Sequence, residues 1–157
     1  MLLFLEKTIC EQERIIDTKK AYLDAFVKGY KKRNGQTRIP PTQLERAVNR
    51  ILDEKLGVFQ DRDRLLGPQA SVPIYYLLFR CAIEQESLEK ITRVELRNFA
   101  RKVRENRRLA EEDITKADFD LLQFNRFSIQ GTNNASSIKE RLRIIIEHLG
   151  LSTPSFS

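Results

Sequence analysis

The segment "VPIYYLLFRCAIE", residues 72–84, is the strongest constraint on the fold. Its apolar residues go all the way round for three turns, so a helix built from it has no polar face. Such a helix belongs at the centre of a protein, covered on every side. Pro73 falls where a first helical turn accepts proline, because the N–H it lacks would have no partner there. Taken alone, about eight such residues could also form a buried strand. No apolar–polar alternation of strand length occurs anywhere in the chain, and no internal repeat or low-complexity tract. The expected class is all-α: an irregular bundle of about six or seven helices in one domain spanning residues 1–157.

The flanking segments read as follows. Leu2, Leu5, Ile9, Ile16, Leu23, Phe26, Val27 and Tyr30 recur at steps of three, four or seven. That spacing predicts one long helix from residue 2 to about 33, or two with a kink. "NGQTRIPP" (34–41) breaks it. Thr42 with Glu45 forms a capping box, as do Thr92 with Glu95 and Ser137 with Glu140. Leu44, Val48, Ile51 and Leu52 line one face of the helix that follows Thr42, with Gly57 as its C-cap. "DRDRLLGPQAS" is an irregular link. Thr115 is the expected cap of a helix over 115–127. Ile138, Leu142, Ile145 and Leu149 mark the last helix, stopped by Gly150. "LSTPSFS" (151–157) is expected to be a flexible tail.

With 157 residues, 41% of them hydrophobic and 32% charged, the chain can bury a core yet stays charge-rich. No apolar run reaches the ~18 residues of a membrane span. The first ten residues lack the basic leader of a signal peptide. Cys10 and Cys81 lie in helix-like apolar contexts and are expected to be reduced core thiols. These features point to a cytoplasmic chain without a membrane partner.

Catalytic signals are sparse. His148, the only histidine, sits late in a helix, where the dipole favours it, and reads as structural. One histidine and two distant cysteines do not make a standard zinc site. Glu111, Glu112, Asp113, Asp118 and Asp120 could hold a divalent ion. They read more simply as acids at a helix junction. No cofactor and no metal are expected.

The basic features are sharper, and the net charge is +6. Arg93, Arg97, Arg101, Arg104 and Arg108 fall within an arc of about 80° on one helix face. Leu96, Phe99, Val103 and Ala110 take another face. The planar guanidinium fork suits phosphate, so the stripe is a candidate nucleic-acid contact. The alternative is a solvated face, partly neutralised by Glu95, Glu105 and the acidic run. A second basic cluster, Lys28, Lys31, Lys32, Arg33 and Arg38, surrounds Tyr30 and contains no acid. It could contact nucleic acid or simply complement a helix C-terminus. The loop Gln130, Thr132, Asn133, Asn134 precedes a helix N-terminus and is a weaker phosphate candidate, since it lacks the glycine spacing and lysine of a P-loop.

"SVPIYYLLF", "NRRLAE", "LLQFNR" and "QGTNNASSIKER" resemble the helical C-terminal region of the GmrSD-type family, ParB-like nuclease proteins linked to defence against phage DNA. The resemblance covers roughly residues 65–149. It implies a helical module beside a ParB-like nuclease domain. The family's DGQQR-type motif is absent here, so catalytic activity is not carried over. Met1 runs directly into an apolar helix pattern, as in a chain that begins inside a larger fold. Residues 1–16 are therefore expected to present an apolar surface to a partner protein or a second copy. The function expected is a noncatalytic module that positions nucleic acid or a partner nuclease domain through the arginine face. The alternatives are a helical interaction subunit with no nucleic-acid role, or a small helical subunit of an RNA-guided effector.

Overall fold

A computed structural model describes residues 1–32, 41–154 and 156. Among the described residues there are seven α-helices and no strand: α1 (Leu2–Gln12), α2 (Lys20–Lys32), α3 (Pro41–Leu56), α4 (Ser71–Glu84), α5 (Arg93–Glu112), α6 (Phe119–Ile129) and α7 (Ala135–His148). The all-α bundle is the fold that the patterning predicts.

Helix α4 is the central element. Pro73 through Phe79, Cys81 and Ala82 are buried, and the helix packs against α3 and α7. From α7 come Ile138, Leu142, Ile144, Ile145 and Ile146; α5 contributes Leu96 and Phe99. Helices α5, α6 and α7 follow one another in space as in sequence.

Residues 2–32 form two helices rather than one. α1 ends at Glu13, whose left-handed backbone (φ 52°) turns the chain while its N–H donates to Ile9 O at 2.9 Å. The apolar residues of α1 face inward: Phe4, Leu5 and Ile9 are buried in this chain's own core, and Leu2 and Leu3 pack against it. The uncovered apolar surface expected of residues 1–16 is therefore not present, and its physical argument for a partner falls with it. A buried carboxylate fastens α1 to α4. Glu6 Oε2 accepts from the Tyr76 hydroxyl at 2.7 Å and from Arg80 Nε at 3.1 Å. Burial, reinforced by Glu6, pushes the Tyr76 phenol far above its ordinary range, so it remains a donor.

The caps depart from expectation in part. Thr92 Oγ1 accepts from Glu95 N at 3.2 Å, as predicted. α6 begins at Asp118, not Thr115: Asp118 Oδ1 accepts from Leu121 N, and Asp118 N donates to Asn106 of α5. Asp113 and Thr115 belong instead to a short 3-10 turn, 114–116. Ser137 does not cap α7, because it lies inside the helix. Gly150 (φ 65°) does end α7, with Leu151 N donating to Ile146 O and Gly150 N to Glu147 O. That pair of bonds is a Schellman closure.

The tail expected to be flexible is docked through its described residues. Leu151 and Phe156 are buried, and Phe156 lies under the Arg80 guanidinium at 4.9 Å. Gln85 exchanges two hydrogen bonds with Ser152. Both cysteines are free, but only Cys81 is a core thiol, pushed up to about 12 by burial; Cys10 is exposed.

Candidate nucleic-acid interface

The rotation of α5 about its axis is set by what it buries. Leu96 and Phe99 enter the core, and the buried Asn106 exchanges hydrogen bonds of 2.8 and 2.7 Å with Asp118. With that side inward, Arg97, Arg101, Arg104 and Arg108 are exposed on the other. Arg101 is tied to Asn98 (3.2 Å) and lies 3.9 Å from Glu105. Among the described residues, Arg97, Arg104 and Arg108 make no ion pair.

Arg93 has a different role. It pairs with the buried carboxylate of Asp63, which also accepts from the backbone N–H groups of Gln60 (3.1 Å) and Leu65 (3.0 Å). Burial opposes ionisation of Asp63, but Arg93 and the two N–H groups outweigh it and hold the carboxyl below its ordinary range. The Arg93–Asp63 pair fastens the 60–66 turn onto the first turns of α5. The turn and the helix enclose a cleft of about 470 Å³. Arg62, Arg64, Arg93, Arg97 and Arg104 line it, against Asp61 and Asp63. Five guanidiniums against two carboxylates give a local charge of +3. Since Asp63 is engaged by Arg93, four arginines there have no anionic partner among the described residues.

Arg62 and Arg64 were not candidates from the sequence, where "DRDRLL" reads as an irregular link. Arg62 has a left-handed backbone (φ 52°) at the cleft rim. A non-glycine residue tolerates that conformation only where its surroundings impose it. Arg141 was also missed. It is 1% exposed and has no carboxylate partner among the described residues. Its guanidinium donates to the carbonyls of Ser137 (3.2 Å), Ala70 (3.0 Å) and Thr132 (2.7 Å). Burial lowers it to about 10, which still leaves it charged at neutral pH. The signal was present: residue 141 is three positions after Ile138 and one before Leu142, on the apolar stripe of α7.

The remaining candidates are placed as follows. Lys28 is exposed on α2; Lys31 and Lys32 are in the same helix, but their side chains, with Arg33 and Arg38, lie outside the described residues. The loop Gln130–Asn134 is not an open anion cradle. Thr132 O accepts from Arg141, Asn133 O accepts from Thr18 N at 2.8 Å, and Ala135 N at the start of α7 donates to Asp17 Oδ1 at 2.8 Å. The helix N-terminus already holds an anion, and it is the protein's own. His148 is half-buried against Phe99, ring centres 5.0 Å apart, and burial lowers its pKa. Among the described residues no three His, Cys, Asp or Glu side chains converge as a metal site would require. Among the described residues no helix is long and apolar enough to cross a membrane.

Comparison with family models, with curated proteins and with solved structures finds no match. The resemblance to the GmrSD-type family therefore stands on the quoted segments alone.

Proposed function

We propose that this chain is a noncatalytic helical module that contacts nucleic acid through the arginine face of α5 and the cleft beside it. One observation carries the reading: Arg62, Arg64, Arg97 and Arg104 surround a single cleft without anionic partners among the described residues. Guanidiniums left unpaired side by side repel one another, and a run of phosphates relieves that repulsion. Positioning a ParB-like nuclease partner extends the reading and rests on the family resemblance. A titration of binding to duplex and single-stranded nucleic acid against salt tests it. Log affinity should fall linearly with log salt, and Arg97→Ala with Arg104→Ala should flatten the duplex slope by up to about 1.8, at ~0.9 per phosphate contact. Alanine is a good helix former, so the circular dichroism of α5 should persist. Lys28→Ala with Lys31→Ala measures the second basic cluster. Absence of binding at ~50 mM salt, or an unchanged slope in the arginine variant, overturns the reading. Metal-dependent plasmid cleavage abolished by Asp113→Asn would overturn its noncatalytic part.

A further inference from the structure

A second cavity borders the basic cleft. It measures about 260 Å³, shares Arg64, Leu65, Ala100 and Arg104 with the cleft wall, and reaches to α4, α6 and α7. The chemistry changes across that shared wall. On the far side the lining is apolar and aromatic: the half-buried Val103 and Phe124 face it, backed by the core residues Tyr75 and Phe99. Phe99 and Phe124 meet edge to face, ring centres 4.8 Å apart. Two polar side chains of α6, Asn125 and Ser128, interrupt the apolar lining, and Arg141 lies at the boundary with α7. Arg141 is held in place there by the backbone carbonyls of Ser137, Ala70 and Thr132.

The cavity is slightly below the ~300–1,000 Å³ typical of sites for drug-sized ligands. At ~30 Å³ per water it has room for one flat ring system. A phosphate-binding cleft beside a small aromatic-walled cavity with a few hydrogen-bonding groups is what one nucleotide requires. The base of a paired nucleotide is stacked inside the duplex and cannot enter; a base in a single strand can.

We infer that the cleft and the adjoining cavity together bind one unstacked nucleotide of a single strand, its phosphate among Arg64, Arg97 and Arg104 and its base between α5 and α6. This rests on the nucleic-acid reading above and adds to it a preference for single strands.

The test compares a short oligothymidylate with the same strand lacking its bases, so that the phosphates are equal in number. The intact strand should bind about tenfold more tightly, since one base against aromatic surface contributes on that order. The salt slopes of the two strands should agree. Ser128→Leu adds bulk to the cavity from α6, away from the residues that line the phosphate cleft, and leucine is a good helix former. It should weaken the intact strand about tenfold and leave the baseless strand unchanged. Asn125→Ala, which adds no bulk, should likewise weaken the intact strand alone, and it decides the matter where the leucine perturbs the fold. Equal binding of the two strands, with the salt dependence intact, overturns the base cavity and leaves the phosphate contact standing. Failure of both strands to bind at ~50 mM salt overturns the nucleic-acid reading, and this inference with it.

Discussion

Replacing Asp17 by alanine tests the tertiary cap of α7, because the carboxylate sits 118 residues from the N–H it receives. Asp17 Oδ1 accepts from Ala135 N at 2.8 Å, and its other oxygen pairs with Lys19 at 2.8 Å. Loss of a side-chain cap costs about 1 kcal/mol. Loss of a negative charge at a helix N-terminus adds about 0.5 kcal/mol. At ~2–4 °C per kcal/mol for a chain of this size, Asp17→Ala should lower Tm by about 3–6 °C. Asp17→Asn keeps an acceptor and loses the charge, so its shift should be about 1–2 °C. Ser137→Ala is the control, since the local capping box would assign the cap to Ser137; in the folded chain Ser137 is inside the helix and its loss should matter less. Thermal unfolding followed by far-UV circular dichroism measures all three. The pH dependence has a definite sign. The Lys19 ammonium, then the Ala135 N–H, holds Asp17 below its ordinary pKa. A depressed folded-state pKa gives stability that is present above the unfolded value, ~3.9, and lost as pH falls through the folded one. The gap between wild type and Asp17→Ala should thus be constant from pH ~5 upward and narrow below pH ~4. A cost of about 1 kcal/mol for Ser137→Ala with none for Asp17→Ala would refute the reasoning.

Two left-handed residues, Arg62 and Glu86 (φ 50°), allow a paired experiment. Relief of left-handed strain, about 1–2 kcal/mol, less the glycine entropy cost of about 0.5–1 kcal/mol, leaves a net gain of up to ~1.5 kcal/mol for Arg62→Gly and for Glu86→Gly. Only Arg62→Gly should also weaken nucleic-acid binding, a separation that chemical denaturation and a binding titration would reveal. Burial, then Lys102, lowers the His148 pKa against the opposing pull of Glu95 and Asp118. Below pH ~6.5 the unfolded chain takes up this proton before the folded one does, so stability should fall with pH until the folded value is passed. His148→Gln should remove that part of the pH dependence of the urea midpoint between pH ~5 and ~7.

What was legible in the sequence was local. The all-round apolar run places α4 at the centre, the heptad-like steps find α1 and α7, and Thr92 and Gly150 mark helix ends whose bonds span six residues or fewer. What was missed depends on residues far apart in the chain. Thr115 and Asp118 are both plausible caps; Asn106, reaching across from α5, decides for Asp118. Ser137 loses its capping role to Asp17. The tail has no periodicity to mark it as ordered, and it docks because Arg80 and Gln85 are waiting on α4 and just beyond it. In the candidate site the stripe of α5 was legible and the other half of the cleft was not. Arg62 and Arg64 are brought to α5 by the Asp63–Arg93 pair, which joins residues 30 apart in the chain.

The solvated-face alternative for the stripe counts on partial neutralisation by Glu95, Glu105 and the acidic run. The acidic run has other partners: Glu111 pairs with Arg107, Asp113 with Lys116, and Asp120 with Arg143. Among the described residues only Glu105 comes within ion-pair distance of the exposed part of the stripe, at 3.9 Å from Arg101. Exposed pairs at i,i+4 contribute ~0.3–0.5 kcal/mol and screen little of a neighbour's charge. Arg143 shows what neutralisation looks like in this protein, with carboxylates of Asp120, Glu140 and Glu147 all within 2.9 Å. Arginines with structural work are thus paired, as Arg80, Arg93 and Arg143 are, or bonded to backbone carbonyls, as Arg141 is. Arg46 and Arg50 on α3 and Arg126 on α6 also make no ion pair among the described residues, but they do not line the cleft; Arg62, Arg64, Arg97 and Arg104 meet where the 60–66 turn joins α5, with Arg108 further along the same face. Four arginines held together around one cleft without carboxylate partners retain there an unbalanced charge that a phosphate would neutralise.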